Sequence, residues 1–206
     1  MNYKRLTRIL FSLTILILTS CAPNKHIFKE ERFTRFENLK IGNLILLEKR
    51  LGSEDTTPEY PFSISDGIYP NKNGFNLSGL KTFTRKERPC FEYEVDYFYT
   101  TTDSSVKVIL YEWKYLPNEN NDYFKNKEEE KKNAKKFQEK FDNLRKELTI
   151  KLGQPTEIEI EQNRVTDENF RDGLKWINPN GLNAYLFMLG NKDSGYRKVR
   201  LAIYKD

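Results

Sequence analysis

Apolar and polar positions recur with two different periods along this chain, and the changes of period divide it into elements. From residue 91 to 101, Phe91, Tyr93, Val95, Tyr97 and Tyr99 alternate with Glu92, Glu94, Asp96 and Phe98, the period-two pattern of a half-buried strand. After Thr102, Asp103, Ser104 and Ser105, residues 106–116 are again rich in β-formers, so the pair predicts a hairpin. The period then lengthens. Between 125 and 152, Phe137, Phe141, Leu144, Leu148 and Leu152 step by four, three, four and four, which places one apolar stripe along a helix that Gly153 and Pro155 end. Glu128 with Lys132, Asp142 with Lys146, and Glu147 with Lys151 add i,i+4 pairs in the favourable order. The run Glu128, Glu129, Glu130, Lys131 and Lys132 is expected as a solvated face.

Strand signals return at 156–162, 170–177, 182–189 and 196–204, broken by Asn178-Pro179-Asn180-Gly181 and by the turn residues from Gly190 to Gly195. Residues 182–189 are apolar on both parities apart from Asn183, as in a central strand. Upstream, Leu39, Leu44, Leu47 and Leu51 with Gly52 as a stop predict a short helix over 39–51. Residues 53–80 hold Pro58, Pro61, Pro70, Gly67, Gly74 and Gly79 and are expected to be irregular, with one or two short strands. Long loops often carry function, so a partner surface is expected there.

These elements predict the α+β class: an antiparallel sheet with a long amphipathic helix packed on one face, in two layers, forming one domain over 36–206. An echo is also present. A helix ending Leu51-Gly52 and another ending Leu152-Gly153 each lead into strands, which suits two helix-then-strands units at 36–118 and 125–206.

The N-terminus has a different logic. Lys4, Arg5 and Arg8 form a basic start with no acidic residue before Cys21, and residues 9–18 are apolar apart from Ser12 and Thr14. Ten helical residues rise only about 15 Å, roughly half the hydrocarbon thickness, so this segment reads as a secretory leader over 1–20. It ends in Leu18-Thr19-Ser20-Cys21, which resembles the lipobox of bacterial lipoproteins. That resemblance covers only the leader. It implies cleavage before Cys21, acyl chains on Cys21, and membrane attachment; Ala22, where aspartate is the inner-membrane retention signal, implies the outer membrane. At roughly 0.8 kcal/mol per buried methylene, two or three acyl chains anchor a protein lastingly. Residues 21–35, with Pro23 and the charged run Lys29-Glu30-Glu31-Arg32, are expected to form a tether whose Phe28 and Phe33 could dock on the domain.

Removing the leader changes the charge. Of 35 basic residues three lie in it, leaving 32 against 30 acidic, a net +2 in place of +5, so charge gives no reason to expect a nucleic-acid partner. His26 is the single histidine, which excludes the usual triads and most zinc sites. With Cys21 acylated, Cys90 has no partner for a disulfide and is expected as a small buried side chain. No phosphate loop, dinucleotide fingerprint, nucleophile elbow or calcium loop occurs, so no catalytic residue, cofactor or metal is assigned.

Two constellations remain. Glu157, Glu159 and Glu161 share one strand face; they could hold a cation or hydrolyse a glycan, but a ladder with Arg171 and Lys175 of the next strand is the expected arrangement. Tyr97, Tyr99, Tyr111 and Trp113 form a ligand surface for a sugar or peptide if they share an exposed face, and core if that face is buried, the commoner arrangement for aromatics. Register decides whether they share it: Tyr99 opposite Lys107 brings both strands' aromatics together, Tyr99 opposite Val108 separates them. The function expected is a cell-envelope lipoprotein with a non-catalytic binding or structural domain for an envelope protein or glycan. The alternatives are a carboxylate-dependent hydrolase of envelope or imported glycans, and a lipid-anchored inhibitor or immunity protein.

Overall fold

The structure, a computed structural model, describes residues 26–59, 64, 79–116, 123–163, 167–178 and 181–205. The leader, Cys21 and most of the loop expected to carry a partner surface lie outside the described residues.

A short helix α1 (Glu30–Thr34), a 3-10 turn (Phe36–Asn38) and helix α2 (Ile41–Arg50) precede strands β1 (Glu54–Asp55), β2 (Gly79–Glu87), β3 (Phe91–Tyr99) and β4 (Val106–Tyr115). Helix α3 (Tyr123–Leu152) leads into β5 (Glu157–Glu159), β6 (Asn169–Trp176), β7 (Leu182–Asn191) and β8 (Arg197–Lys205). The strands form one eight-stranded sheet in the order β1-β2-β3-β4-β8-β7-β6-β5, antiparallel throughout. The order of elements, a helix and then four strands, thus occurs twice, and the two sets meet where β4 pairs with β8. Gly52 and Gly153 follow α2 and α3 with φ of 73° and 83°, a backbone conformation open to glycine at helix C-termini.

Pleating sorts the side chains. Tyr93 faces Trp113 across the β3–β4 pair, Val95 faces Tyr111, and Tyr97 faces Ile109; Trp113 faces Val199 of β8 and Tyr111 faces Leu201. These residues make the inner face, continued by Leu174, Trp176, Ala184, Leu186 and Met188. The register that sets Tyr99 opposite Lys107 holds from Phe91 to Phe98, and a bulge then moves Tyr99 opposite Val106.

The inner face is not covered by one helix, and the expected two-layer arrangement with a single long amphipathic helix is corrected. The molecule is in the main an eight-stranded antiparallel sheet, and its helical cover is shared. The buried stripe of α3 runs only from Phe137 through Phe141 and Leu144 to Leu148, while its described residues before Ala134 are exposed or half-buried. A stripe that short lies chiefly over the β7–β8 side and reaches the aromatic β2–β4 side only at its N-terminal end, where Phe137 meets Phe91 and Lys140 meets Glu87. That side is closed by the N-terminal pieces, with Ile27, Phe28, Phe36, Ile41 and Leu44 all buried in the same cluster. The described part of the expected tether, residues 26–35, is therefore packed, because Ile27 and Phe28 cannot stay in water beside an uncovered aromatic face.

Strand β2 has no counterpart in the expected elements. Its inward positions include Lys81, Arg85 and Glu87, so the apolar alternation is missing; each charge meets a partner, Asp55 at 2.9 Å, Glu48 at 2.8 Å and Lys140 respectively. The outer face carries a second apolar cluster, Phe98, Val108, Leu110, Tyr185, Phe187, Ala202 and Tyr204, against which Ile64 packs. Both sheet edges end in short acidic strands, β1 and β5, whose charges oppose pairing with another chain.

Candidate functional site

Of the expected ligand surface, Tyr97, Tyr111 and Trp113 are fully buried and Tyr99 is half-buried, so the surface is corrected to core. The shared face exists, as the register requires, but it points inward. What those aromatics surround is a polar cluster. Glu48, on the buried side of α2, has no exposed surface; it accepts hydrogen bonds from Tyr97 Oη at 2.7 Å, Ser53 Oγ at 2.6 Å and Arg85 Nη1 at 2.8 Å. Arg85 lies over the Tyr93 ring, 3.8 Å from its centroid, and its Nη2 contacts His26 Nε2 at 2.7 Å. Arg32 of α1 donates to Tyr111 Oη. Two cations and one carboxylate thus fasten residues 26–53 to β2–β4. Among the described residues, Arg32 Nη2 and Tyr93 Oη lack partners.

Chemically this cluster is closed. Burial pushes the pKa of Tyr93, Tyr97 and Tyr111 upward, which keeps the phenols protonated and unsuited to act as bases. A similar device secures α3. Lys140 pairs with Glu87, which accepts the Trp113 indole N–H at 3.1 Å, and the ammonium lies 5.0 Å from the Trp113 ring centroid. Burial lowers the Lys140 pKa and Glu87 pulls it back. Cys90 is half-buried against the core, and burial raises its thiol pKa although Lys136 and Lys140 oppose the shift. A raised thiol pKa means little thiolate at neutral pH.

The glutamate constellation is a ladder where it is ordered into strands. Glu157 stands opposite Lys175 with a 2.7 Å ion pair, and Glu161 accepts the Arg171 backbone N–H at 2.7 Å. Ile158, opposite the buried Leu174 and so on the inner face, is nonetheless 57 % exposed on this edge strand. No cluster of metal-ligating side chains occurs among the described residues. On the outer face a checkerboard spans β3, β4 and β8: Lys114 meets Glu92 at 2.9 Å and Glu94 at 3.5 Å, and Glu112 is held by Lys198 at 2.8 Å and by Arg200. Beside it Asp96, buried under the outer cluster, accepts from Thr82 Oγ1 at 2.6 Å; burial pushes its pKa up to about 6.

Two shallow open depressions lie around α2. Leu46, Lys49 and Arg50 line one of about 430 Å³. Leu51, Glu54, Arg85, Lys86, Glu92 and Leu116 line another of about 510 Å³.

Sequence reasoning passed over Glu48, Arg85 and Arg32. One signal was present: Glu48 falls four residues after Leu44 and seven after Ile41, at a position the α2 pattern reserves for an apolar side chain. A carboxylate there requires buried partners. No helix among the described residues is long and apolar enough to cross a membrane. Compared with protein families, curated proteins and solved structures, the chain shows no match.

Proposed function

We propose that the protein is a lipoprotein of the bacterial cell envelope, anchored through acyl chains on Cys21, with a non-catalytic binding or structural domain that engages an envelope protein or glycan. The observation that carries it is the leader, a basic start and short apolar run abutting Leu18-Thr19-Ser20-Cys21. Ala22 favours the outer membrane. What supports a binding role over hydrolysis is where the carboxylates are spent: Glu48, Glu87, Glu112 and Glu157 each hold a cation, whereas glycan hydrolysis needs two carboxyl groups facing across a cleft roughly 5–10 Å wide.

The test has two parts. Mass spectrometry of the N-terminal peptide from envelope fractions should find diacylglycerol on Cys21, and Cys21→Ser should release the protein from the membrane; an unmodified Cys21 removes the anchor. Mild-detergent capture of the lipidated protein should then retain a protein or glycan in fixed ratio. Turnover of glycan that is lost on carboxylate substitution would replace the binding role with the hydrolase.

A further inference from the structure

The first described residue, His26, is already fastened to the domain through Arg85, and Ile27 beside it has no exposed surface. Five chain steps separate Cys21 from His26, a reach of at most about 18 Å. A lipid on Cys21 therefore holds the domain against the bilayer by whatever surface surrounds His26. That surface can be named. Arg85 joins His26 to Glu48 and Ser53, so the C-terminal half of α2 lies beside the point where the chain leaves the domain. The outward face of that half carries Leu46, 59 % exposed, then Lys49 and Arg50, and Leu51, 37 % exposed, follows. Lys86 shares a depression with Leu51. Glu54 and Glu92 also line it, but Glu92 is held by Lys114 at 2.9 Å.

We infer that this face of α2 rests on the bilayer that holds the anchor, with Leu46 and Leu51 among the lipid headgroups and Lys49, Arg50 and Lys86 on the phosphates of anionic lipids. The inference deepens the lipoprotein proposal and rests on it. Exposed leucines flanked by cations are the composition of an interfacial contact, in which apolar area and attraction to anionic lipid add. The acyl chains supply attachment; the face supplies orientation.

The test uses full-length lipidated protein in vesicles of phosphatidylethanolamine and phosphatidylglycerol with brominated acyl chains, which quench tryptophan on contact. The native Trp113 and Trp176 are buried and give a constant background. Leu46→Trp reports the proposed face, and Ile177→Trp, exposed at the turn after β6 at the far corner of the sheet, is the control. Both sites are exposed, so neither change disturbs packing. Interfacial side chains sit about 5–10 Å into the headgroup region, so about half the added emission should be lost at position 46 and none at 177. Adding Lys49→Gln, Arg50→Gln and Lys86→Gln should abolish the quenching at 46 while the acyl chains keep the protein on the vesicle. Equal quenching at both positions, or none at 46 with the lipid confirmed on Cys21, overturns the orientation and leaves the anchor standing. An unlipidated Cys21 overturns both.

Discussion

Replacing Glu48 by glutamine tests the claim that a buried ion pair, and not apolar packing alone, holds the N-terminal cover on the sheet. Glutamine keeps the shape, and with its amide oxygen in the Oε2 position it still accepts from Ser53 and Arg85 while its N–H2 turns to Tyr97 Oη, which can accept. What the change removes is the negative charge beside the guanidinium. Arg85 has only 12 % of its side chain exposed and is held between His26 and the Tyr93 ring, and Arg32 lies buried nearby. Breaking a buried pair from one side costs about 3–5 kcal/mol, because the remaining charge is left desolvated. For a domain with an m-value of about 2–3 kcal/mol per molar urea, that lowers the unfolding midpoint by about 1–2 M. Emission of the buried Trp113 and Trp176 follows the transition. Arg85→Gln should cost a comparable amount, and the double variant at least about 1.5 kcal/mol less than the sum of the two. A loss under about 1 kcal/mol for Glu48→Gln, or strict additivity, would refute the reasoning and leave the cluster a bystander to packing.

Three further outcomes follow from the same geometry. Asp96→Asn should stabilise the protein by about 1–3 kcal/mol at pH 7, because the native carboxyl titrates near pH 6 against about 4 when unfolded; the folded state binds the proton more tightly, so wild-type stability gains as pH falls through that window and the advantage of asparagine shrinks toward pH 4, a difference read from paired denaturation curves. Gly195→Ala should cost at least about 1–2 kcal/mol and loosen α3, since φ there is 77° and a Cβ would sit 2.6 Å from Lys131 Cα; unchanged thermal stability would contradict the close approach. Leu144→Ala, at a site with no exposed surface under α3, should lose about 2–5 kcal/mol, whereas Ile150→Ala, 67 % exposed on the same helix, should change stability by less than about 0.5 kcal/mol.

What could be read from the chain alone follows its periodicity. The 91–99 and 106–115 strands, the α3 stripe and β8 announce themselves because one face of each is apolar at a regular interval, and β7 because both of its faces are apolar. β2 stayed hidden because it turns Lys81, Arg85 and Glu87 inward, and their partners Asp55, Glu48 and Lys140 come from three separate elements. The packing of residues 26–35 was hidden for a related reason. The run Lys29-Glu30-Glu31-Arg32 has the composition of a solvated linker, yet Arg32 is 4 % exposed and reaches Tyr111, seventy-nine positions along the chain. The aromatic stripes were visible, but which side of the sheet they occupied depended on register, and the ligand surface expected at Tyr97, Tyr99, Tyr111 and Trp113 became core once the N-terminal pieces covered it. Long-range charge pairing leaves no period in a sequence.

The seam between β4 and β8 carries a consequence for the order in which the molecule is made. β2, β3 and β4 can join as successive neighbours as soon as they exist, yet β4 then waits with an open edge while α3 and three further strands are synthesised, because its other partner is the final strand. Its two faces are apolar at Val108, Ile109, Leu110 and Tyr111. A chain halted before Arg197 therefore ends as two unjoined pieces, β1–β4 and β5–β7, each with a bare hydrophobic rim where β8 belongs and prone to join a rim on another unfinished copy. Frameshifts and late stop codons should yield aggregates rather than a smaller working protein.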